Sequence, residues 1–181
     1  RENVAAGDLS LEQLSELRRI GRDEAHLAEY SRNHPPRFVG RAGEDLAPFS
    51  PDRPLEDLVN DALWHGGPVG ESCRSEFDPD EMWEIHIDPY GNIQTCCGIV
   101  TGNAREKPLI EWMTSGFHTD NELVDMACQR GPYAYLDLAK EYGYQPRDGY
   151  PQKCNLCWEV RKFLRPHFPE TFGPAEIYHS V

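Results

Sequence analysis

Cys154-Asn155-Leu156-Cys157 places two thiols one helical turn apart. Two thiolates at this spacing can grip a metal ion or one edge of an iron–sulfur cluster, or can close on each other as a redox disulfide. The pair enters a stretch with helical periodicity, so it belongs at a helix N-terminus. The backbone N–H groups there and the positive end of the dipole favour thiolates and anionic clusters. A thioredoxin-like reading would need a preceding βαβ pattern, and helical patterns precede the pair instead.

The remaining ligands must come from upstream, where the chain offers Cys73, Cys96, Cys97 and Cys128. Cys73 falls in a Gly-, Pro- and Asp-rich loop. Cys96 and Cys97 are adjacent on an expected strand, whose alternation points them to opposite faces, so one of the two faces the metal. The other then packs as a small hydrophobe. Cys128 lies mid-helix, where burial in a core is the better expectation. The set is thus Cys73, one of Cys96 and Cys97, Cys154 and Cys157, with the other member of the pair and Cys128 as weaker alternates.

Four thiolates suit structural zinc or a [4Fe–4S] cluster. Zinc knuckles usually come as two C-x2–4-C pairs. Only one such pair exists here and the other two ligands are single, which favours a cluster over Zn. Disulfides are a poorer expectation, because nothing marks the chain as secreted and disulfide scaffolds are usually smaller. A metal-free core in which the cysteines only pack is a third reading.

Several elements must position these thiols. Ser10 and Gln13 form a capping box ahead of Leu11, Leu14, Leu17 and Ile20, predicting a helix that Pro35 and Pro36 stop. Pro54 opens a second helix, expected to run to Gly66-Gly67. Trp83 to Asp88 alternates apolar and polar. Asp88-Pro89-Tyr90-Gly91-Asn92 reads as a turn, and Ile93 to Cys97 returns as a partner strand, giving a hairpin that delivers Cys96 and Cys97 at its far end. Three helices follow. The first starts at Pro108, the second is capped by Thr119 with Glu122, and the third starts at Pro132. They are ended by Gly116, Gly131 and Gly143. The last helix is expected over about 155–164, and the tail after Pro166 has no period.

The chain has 181 residues, enough for one domain with a real core. Hydrophobic residues at 39% and charged residues at 27% give a globular profile. No stretch approaches the ~18 apolar residues of a membrane span, and Arg1 to Gly7 shows no apolar signal region, so a cytoplasmic protein is expected. A net charge of −13 disfavours nucleic acid and anionic membranes as partners. Residues 145–168 depart from the acidic trend with Arg147, Lys153, Arg161, Lys162 and Arg165. A solvated helix face is the plainer reading of this cluster, and balance of an anionic cluster or docking onto an acidic surface is the sharper one.

The run Ile85-His86-Ile87-Asp88-Pro89-Tyr90-Gly91-Asn92-Ile93-Gln94-Thr95-Cys96-Cys97-Gly98-Ile99-Val100-Thr101-Gly102-Asn103 resembles the hairpin of SPASM and twitch domains. These lie C-terminal to the catalytic barrel of many radical SAM enzymes. Their pattern of Cys, a gap, Gly, four residues and Cys reads here as Cys73, a slightly long gap, Gly91 and Cys96, which selects Cys96 over Cys97. Gly102-Asn103 followed by Pro108-Leu109-Ile110-Glu111-Trp112 resembles the stretch after that hairpin. Val39-Gly40-Arg41-Ala42 resembles one near the barrel's end, and Cys154-x2-Cys157 resembles the later cysteine pair. The likeness spans roughly residues 37–160 by short motifs.

This resemblance implies an α+β fold: a small antiparallel β-hairpin with several helices around a Cys-bound cluster. Residues 1–53 would form an N-terminal helix and linker at the end of a radical SAM barrel, and 54–181 the auxiliary domain. It implies one [4Fe–4S] cluster on Cys73, Cys96, Cys154 and Cys157, since no cysteine follows Cys157 to serve a second. It also implies roles in electron transfer or in positioning a peptide or protein substrate, with an electron donor as partner. The C-x3-C-x2-C motif that binds the S-adenosylmethionine-cleaving cluster is absent from the chain. Catalysis with S-adenosylmethionine would therefore need an upstream barrel, and no catalytic residue is assigned. The non-catalytic alternative is an interaction module stabilised by zinc on the same four cysteines.

Other chemistry is weak. His86 could tune a cluster, but a solvent-facing strand histidine is the better expectation, and His65 suits a helix C-terminus. Glu76, Asp78, Asp80 and Glu81 lack the EF-hand pattern and read as a solvated loop. Tyr133, Tyr135, Tyr142, Tyr144 and Tyr150 fit either a cluster shield or ordinary core and rim. Phosphate-loop, dinucleotide and nucleophile-elbow motifs are absent.

Overall fold

A computed structural model describes residues 25, 29, 36–61, 69–82, 84–117 and 120–178. The expected helix after Ser10, the far end of the expected second helix, and His65, Trp83 and Thr119 lie outside these residues. Among the described residues the fold is α+β, with seven α-helices and small antiparallel sheets. In chain order these are α1 (Gly40–Asp45), β1 (Arg53–Pro54), α2 (Leu55–Leu58), β2 (His86–Ile87), β3 (Asn92–Gln94), β4 (Gly102–Asn103) and α3 (Leu109–Ser115). Then come α4 (Glu122–Arg130), α5 (Pro132–Glu141), β5 (Gly149–Tyr150), α6 (Lys153–Leu164) and α7 (Ala175–Tyr178).

Helix α4 starts where Asn121 Oδ1 accepts from the Leu123 and Val124 amides at 3.1 and 3.2 Å. Asn121 is therefore its cap, satisfying two of the four N–H groups a helix start leaves open. Pro132 occupies the first turn of α5, where its missing N–H is harmless. Helix α6 starts at Lys153, earlier than its periodicity suggests, so both cysteines of the pair lie inside it. Its Lys153 amide donates to Asp61 Oδ2 at 3.0 Å. Asp61 also pairs with Arg53. Asp61 thus turns back to serve α6, and the second helix is a single turn, α2, rather than a run through residue 61.

The hairpin forms at the expected place with both strands shorter than expected: the return strand ends at Gln94, so Cys96 and Cys97 lie in the turn beyond it rather than on the strand. His86 pairs with Gln94 and Ile87 with Ile93, and β4 adds a third strand on the far side of β3. His86 and Ile87 are both exposed, and the buried side of the sheet comes from Ile93. Gly102 lies flat under Trp112, where a Cβ would stand 2.7 Å from the indole ring. The Trp112 Nε1–H donates to the Asn103 carbonyl at 3.2 Å. Burial of an indole of this kind contributes about 1.5–3 kcal/mol, and it fixes the hairpin against α3.

The main core gathers Leu58, Phe77, Val124, Tyr135, Leu156, Trp158, Leu164, Phe172 and Tyr178 around α5 and α6. Residues 36–38 join the same body. Gln152 Oε1 accepts from the Phe38 amide at 3.0 Å, its Nε2 donates to the Pro36 carbonyl at 3.1 Å, and Phe38 is buried. The C-terminal stretch, without period in the sequence, forms α7 and stacks Tyr178 on Trp158 at 4.6 Å. No described helix is long and apolar enough to cross a membrane.

A candidate four-cysteine centre

Cys73, Cys96, Cys154 and Cys157 line one pocket. Cys97 and Cys128 are not in its wall. Cys128 is buried in the core, as its helical position suggests. All six cysteines are free thiols. The rest of the wall combines Val39, Phe77, Ile99, Ala127, Gly131 and Pro132 with four charged residues, Arg37, Glu76, Lys153 and Arg161.

Each thiol is delivered by a different local device. Cys73 precedes a short 3-10 turn (Arg74–Glu76) and is strapped to the end of α4. Its amide donates to the Ala127 carbonyl at 3.0 Å, and the neighbouring Ser72 hydroxyl donates to the Cys128 carbonyl at 2.5 Å. The Cys128 carbonyl is one that a helix end leaves open, whereas the Ala127 carbonyl also accepts from the Gly131 amide at 2.9 Å. Cys96 opens a tight turn closed by the Ile99 amide donating to its carbonyl at 3.0 Å. The Gly98 amide donates to the buried Gln94 Oε1 at 2.9 Å, which fixes that turn to β3. Cys154 and Cys157 share one face of α6 with Arg161, at helical spacing.

Gly131 is a positioning residue that the sequence shows only as a helix stop. Its φ of +54° is costly for a side chain, and a Cβ there would collide with the Glu71 carbonyl and stand 2.9 Å from Cys73 Sγ. The loop carrying Cys73 can approach α5 only because residue 131 has no side chain.

The charged residues correct two expectations. Glu76 is not part of a solvated loop; it is buried and forms an ion pair with Arg37 at 3.0 Å. Arg37 Nη2 also donates to Cys96 Sγ at 3.1 Å. Lys153 and Arg161 do not belong to a solvated helix face, for both are fully buried in the pocket wall. Lys153 Nζ donates to the Gly70 carbonyl at 2.6 Å. Arg161 Nη1 donates to the Cys97 carbonyl at 2.7 Å and to the Tyr178 hydroxyl at 3.0 Å. Arg147 and Lys162 keep the surface role, paired with Asp52 and Glu159 and with Glu44.

Three cations against one carboxylate give the pocket wall a net positive charge; Glu76, Lys153 and Arg161 are buried and Arg37 is partly exposed. Arg37 Nε and Arg161 Nη2 are buried and have no hydrogen-bond partner among the described residues. Such groups carry a desolvation cost unless an anion faces them. The thiols respond oppositely. Burial raises the Cys73 thiol well above its ordinary value, and neighbouring Cys157 and Cys154 add to this. Burial pushes Cys96 up to about 12 against the pull of Arg37, and raises Cys154 against the same pull. Burial alone would lower Arg37, but the thiols of Cys96 and Cys154 and the Glu76 carboxylate raise it. With the thiols of Cys73, Cys96 and Cys154 raised, Glu76 is, among the described residues, the one carboxylate that faces the three cations of the wall.

Among the described residues, no three of His, Cys, Asp and Glu close together tightly enough to hold a single metal ion. His86 is exposed beside Glu84 and is not part of this wall. None of the five tyrosines lines the pocket. Tyr135 and Tyr150 are core, with the Tyr135 hydroxyl on the Leu123 carbonyl, and Tyr142 is exposed. Compared with protein-family models, curated proteins and solved structures, the chain matches none of them.

Proposed function

We propose that this chain binds one [4Fe–4S] cluster through Cys73, Cys96, Cys154 and Cys157, and serves as an auxiliary cluster domain of the SPASM and twitch kind in a radical SAM enzyme. The observation that carries this reading is the convergence of four free thiols, from three distant stretches, on one buried pocket walled by cations. The donor set fits the group, because four thiolates are the usual ligands of a [4Fe–4S] core. A four-thiolate cluster is a net anion, which suits the orphaned guanidinium atoms of Arg37 and Arg161. Zinc would need its four sulfurs within roughly 3.8 Å of one another, as Zn–S bonds of about 2.3 Å require.

When bound, the cluster supplies one-electron chemistry. The chain's own contribution is to hold and insulate it. Val39, Phe77, Ile99 and Ala127 give the pocket apolar walls, while Arg37, Lys153 and Arg161 would offset the cluster's charge. Radical initiation with S-adenosylmethionine belongs to a separate barrel carrying C-x3-C-x2-C. The work proposed for this domain is electron transfer with a low-potential donor, or positioning of a peptide or protein substrate.

The test is iron, sulfide and zinc content, with a visible spectrum, on protein purified without oxygen. About four iron and four sulfide per chain with brown colour are expected. One zinc and no colour would replace this reading with a structural four-cysteine zinc module.

A further inference from the structure

Arg37 belongs to the stretch ahead of the auxiliary domain, yet its side chain reaches the candidate ligands. Its guanidinium lies between Glu76, at 3.0 Å, and Cys96 Sγ, at 3.1 Å. The other two buried cations direct their bonds to backbone carbonyls and the Tyr178 hydroxyl. Among the described residues Arg37 is thus the cation hydrogen-bonded to a candidate ligand sulfur. It is held there from both sides: Gln152 grips the backbone at Pro36 and Phe38, and Glu76 grips the fork.

Hydrogen bonds to ligand sulfurs and nearby net charge are two of the levers that set a cluster's potential. Reduction adds one electron, and therefore one negative charge, to the cluster. A buried cation against a ligand sulfur stabilises that charge, and a buried carboxylate beside the cation works against it. Resting on the cluster reading above, we propose that Arg37 and Glu76 form a paired device that sets the reduction potential of the bound cluster, Arg37 raising it and Glu76 restraining the rise. The electron comes from a one-electron donor and resides on the cluster; no bond is made or broken in the protein. Arg37 acts here as a positioning and tuning residue rather than a catalytic one.

The experiment is an anaerobic dithionite titration, through redox mediators, of the cluster-loaded full chain, read by visible absorbance. Arg37→Gln is expected to move the midpoint to more negative potential and Glu76→Gln to more positive potential. Arg37→Lys keeps the charge but loses the fork, and falls between Arg37→Gln and the parent. Opposite shifts are the signature, because simple loosening of the site would move both variants the same way. Coincident midpoints, or shifts of one sign, overturn the proposal. If Arg37→Gln does not load iron, Glu76→Gln decides: a positive shift supports the device and an unmoved midpoint overturns it. A parent chain that carries no iron or sulfide overturns the cluster reading itself, and the proposal with it.

Discussion

No side-chain carbon fits between Gly131 and Cys73. A Cβ on residue 131 would lie 2.9 Å from the Cys73 sulfur and closer still to the Glu71 carbonyl, at a φ of +54°. The turn between α4 and α5 therefore leaves room for the loop that carries Cys73. Gly131→Ala is expected to destabilise the fold by about 1–3 kcal/mol through strain and overpacking, and to lower iron content. Denaturant midpoints and iron assays on the same preparations check this, and an unchanged iron content would remove Gly131 from the site.

Ligand identity separates by substitution. Cys154→Ala and Cys157→Ala should each abolish metal loading, and Cys96→Ala should do so where Cys97→Ala does not. Cys128→Ala should load normally. Metal retained in either knuckle variant would refute the assignment.

The pH dependence follows from the buried thiols. In the unloaded fold Cys96 is pushed up to about 12, and Cys73 and Cys154 are raised. The fold therefore favours the protonated thiols over the unfolded chain. That contribution is fully present below the ordinary thiol value of about 8.5 and is lost as pH rises toward about 12. Metal must displace those protons, so loading should strengthen with rising pH. Denaturation of the metal-free chain should accordingly show stability falling above about pH 8.5, while metal titrations over the same range show tighter uptake. Loading that weakens with rising pH would contradict thiolate ligation.

Gln152 holds the stretch that carries Arg37. Gln152→Ala removes two hydrogen bonds and is expected to cost about 1–3 kcal/mol. Amide exchange at Phe38 should quicken, and the midpoint potential should move in the direction of Arg37→Gln by a smaller amount. Protection at Phe38 equal to the parent's would refute the anchoring role.

Much of the local architecture can be read from the chain. Glycine and proline mark the ends of α3, α4 and α5, and the alternation around Gly91 marks the hairpin, because these signals act over a few residues. Cys96 lines the pocket and Cys97 does not; the alternation expected of a strand leaves that choice open, and the resemblance of the Gly91 spacing to the SPASM and twitch pattern points to Cys96. The third strand and the brevity of α2 were not legible, since they depend on Ile93 meeting Gly102 and on Asp61 meeting Lys153. The burial of Glu76, Lys153 and Arg161 was also hidden, because a charge reads as surface until its distant partner is known. One signal existed for Arg161: it lies on the helical face that Cys154 and Cys157 define. No local signal marks Arg37, whose partner Cys96 is 59 positions away.

The scattering of the four cysteines has a consequence for biosynthesis. Cys73 leaves the ribosome 81 residues ahead of Cys154, an interval of roughly 4–16 s at usual elongation rates. During it, two of the four thiols are present without the helix that completes the wall. Tyr178, whose hydroxyl seals the Gly98 carbonyl beside Cys96, emerges after all four of them. The wall that brings the four thiols together is therefore complete only once the chain through residue 178 is made. Oxygen encountered earlier would meet Cys73 and Cys96 without that cover.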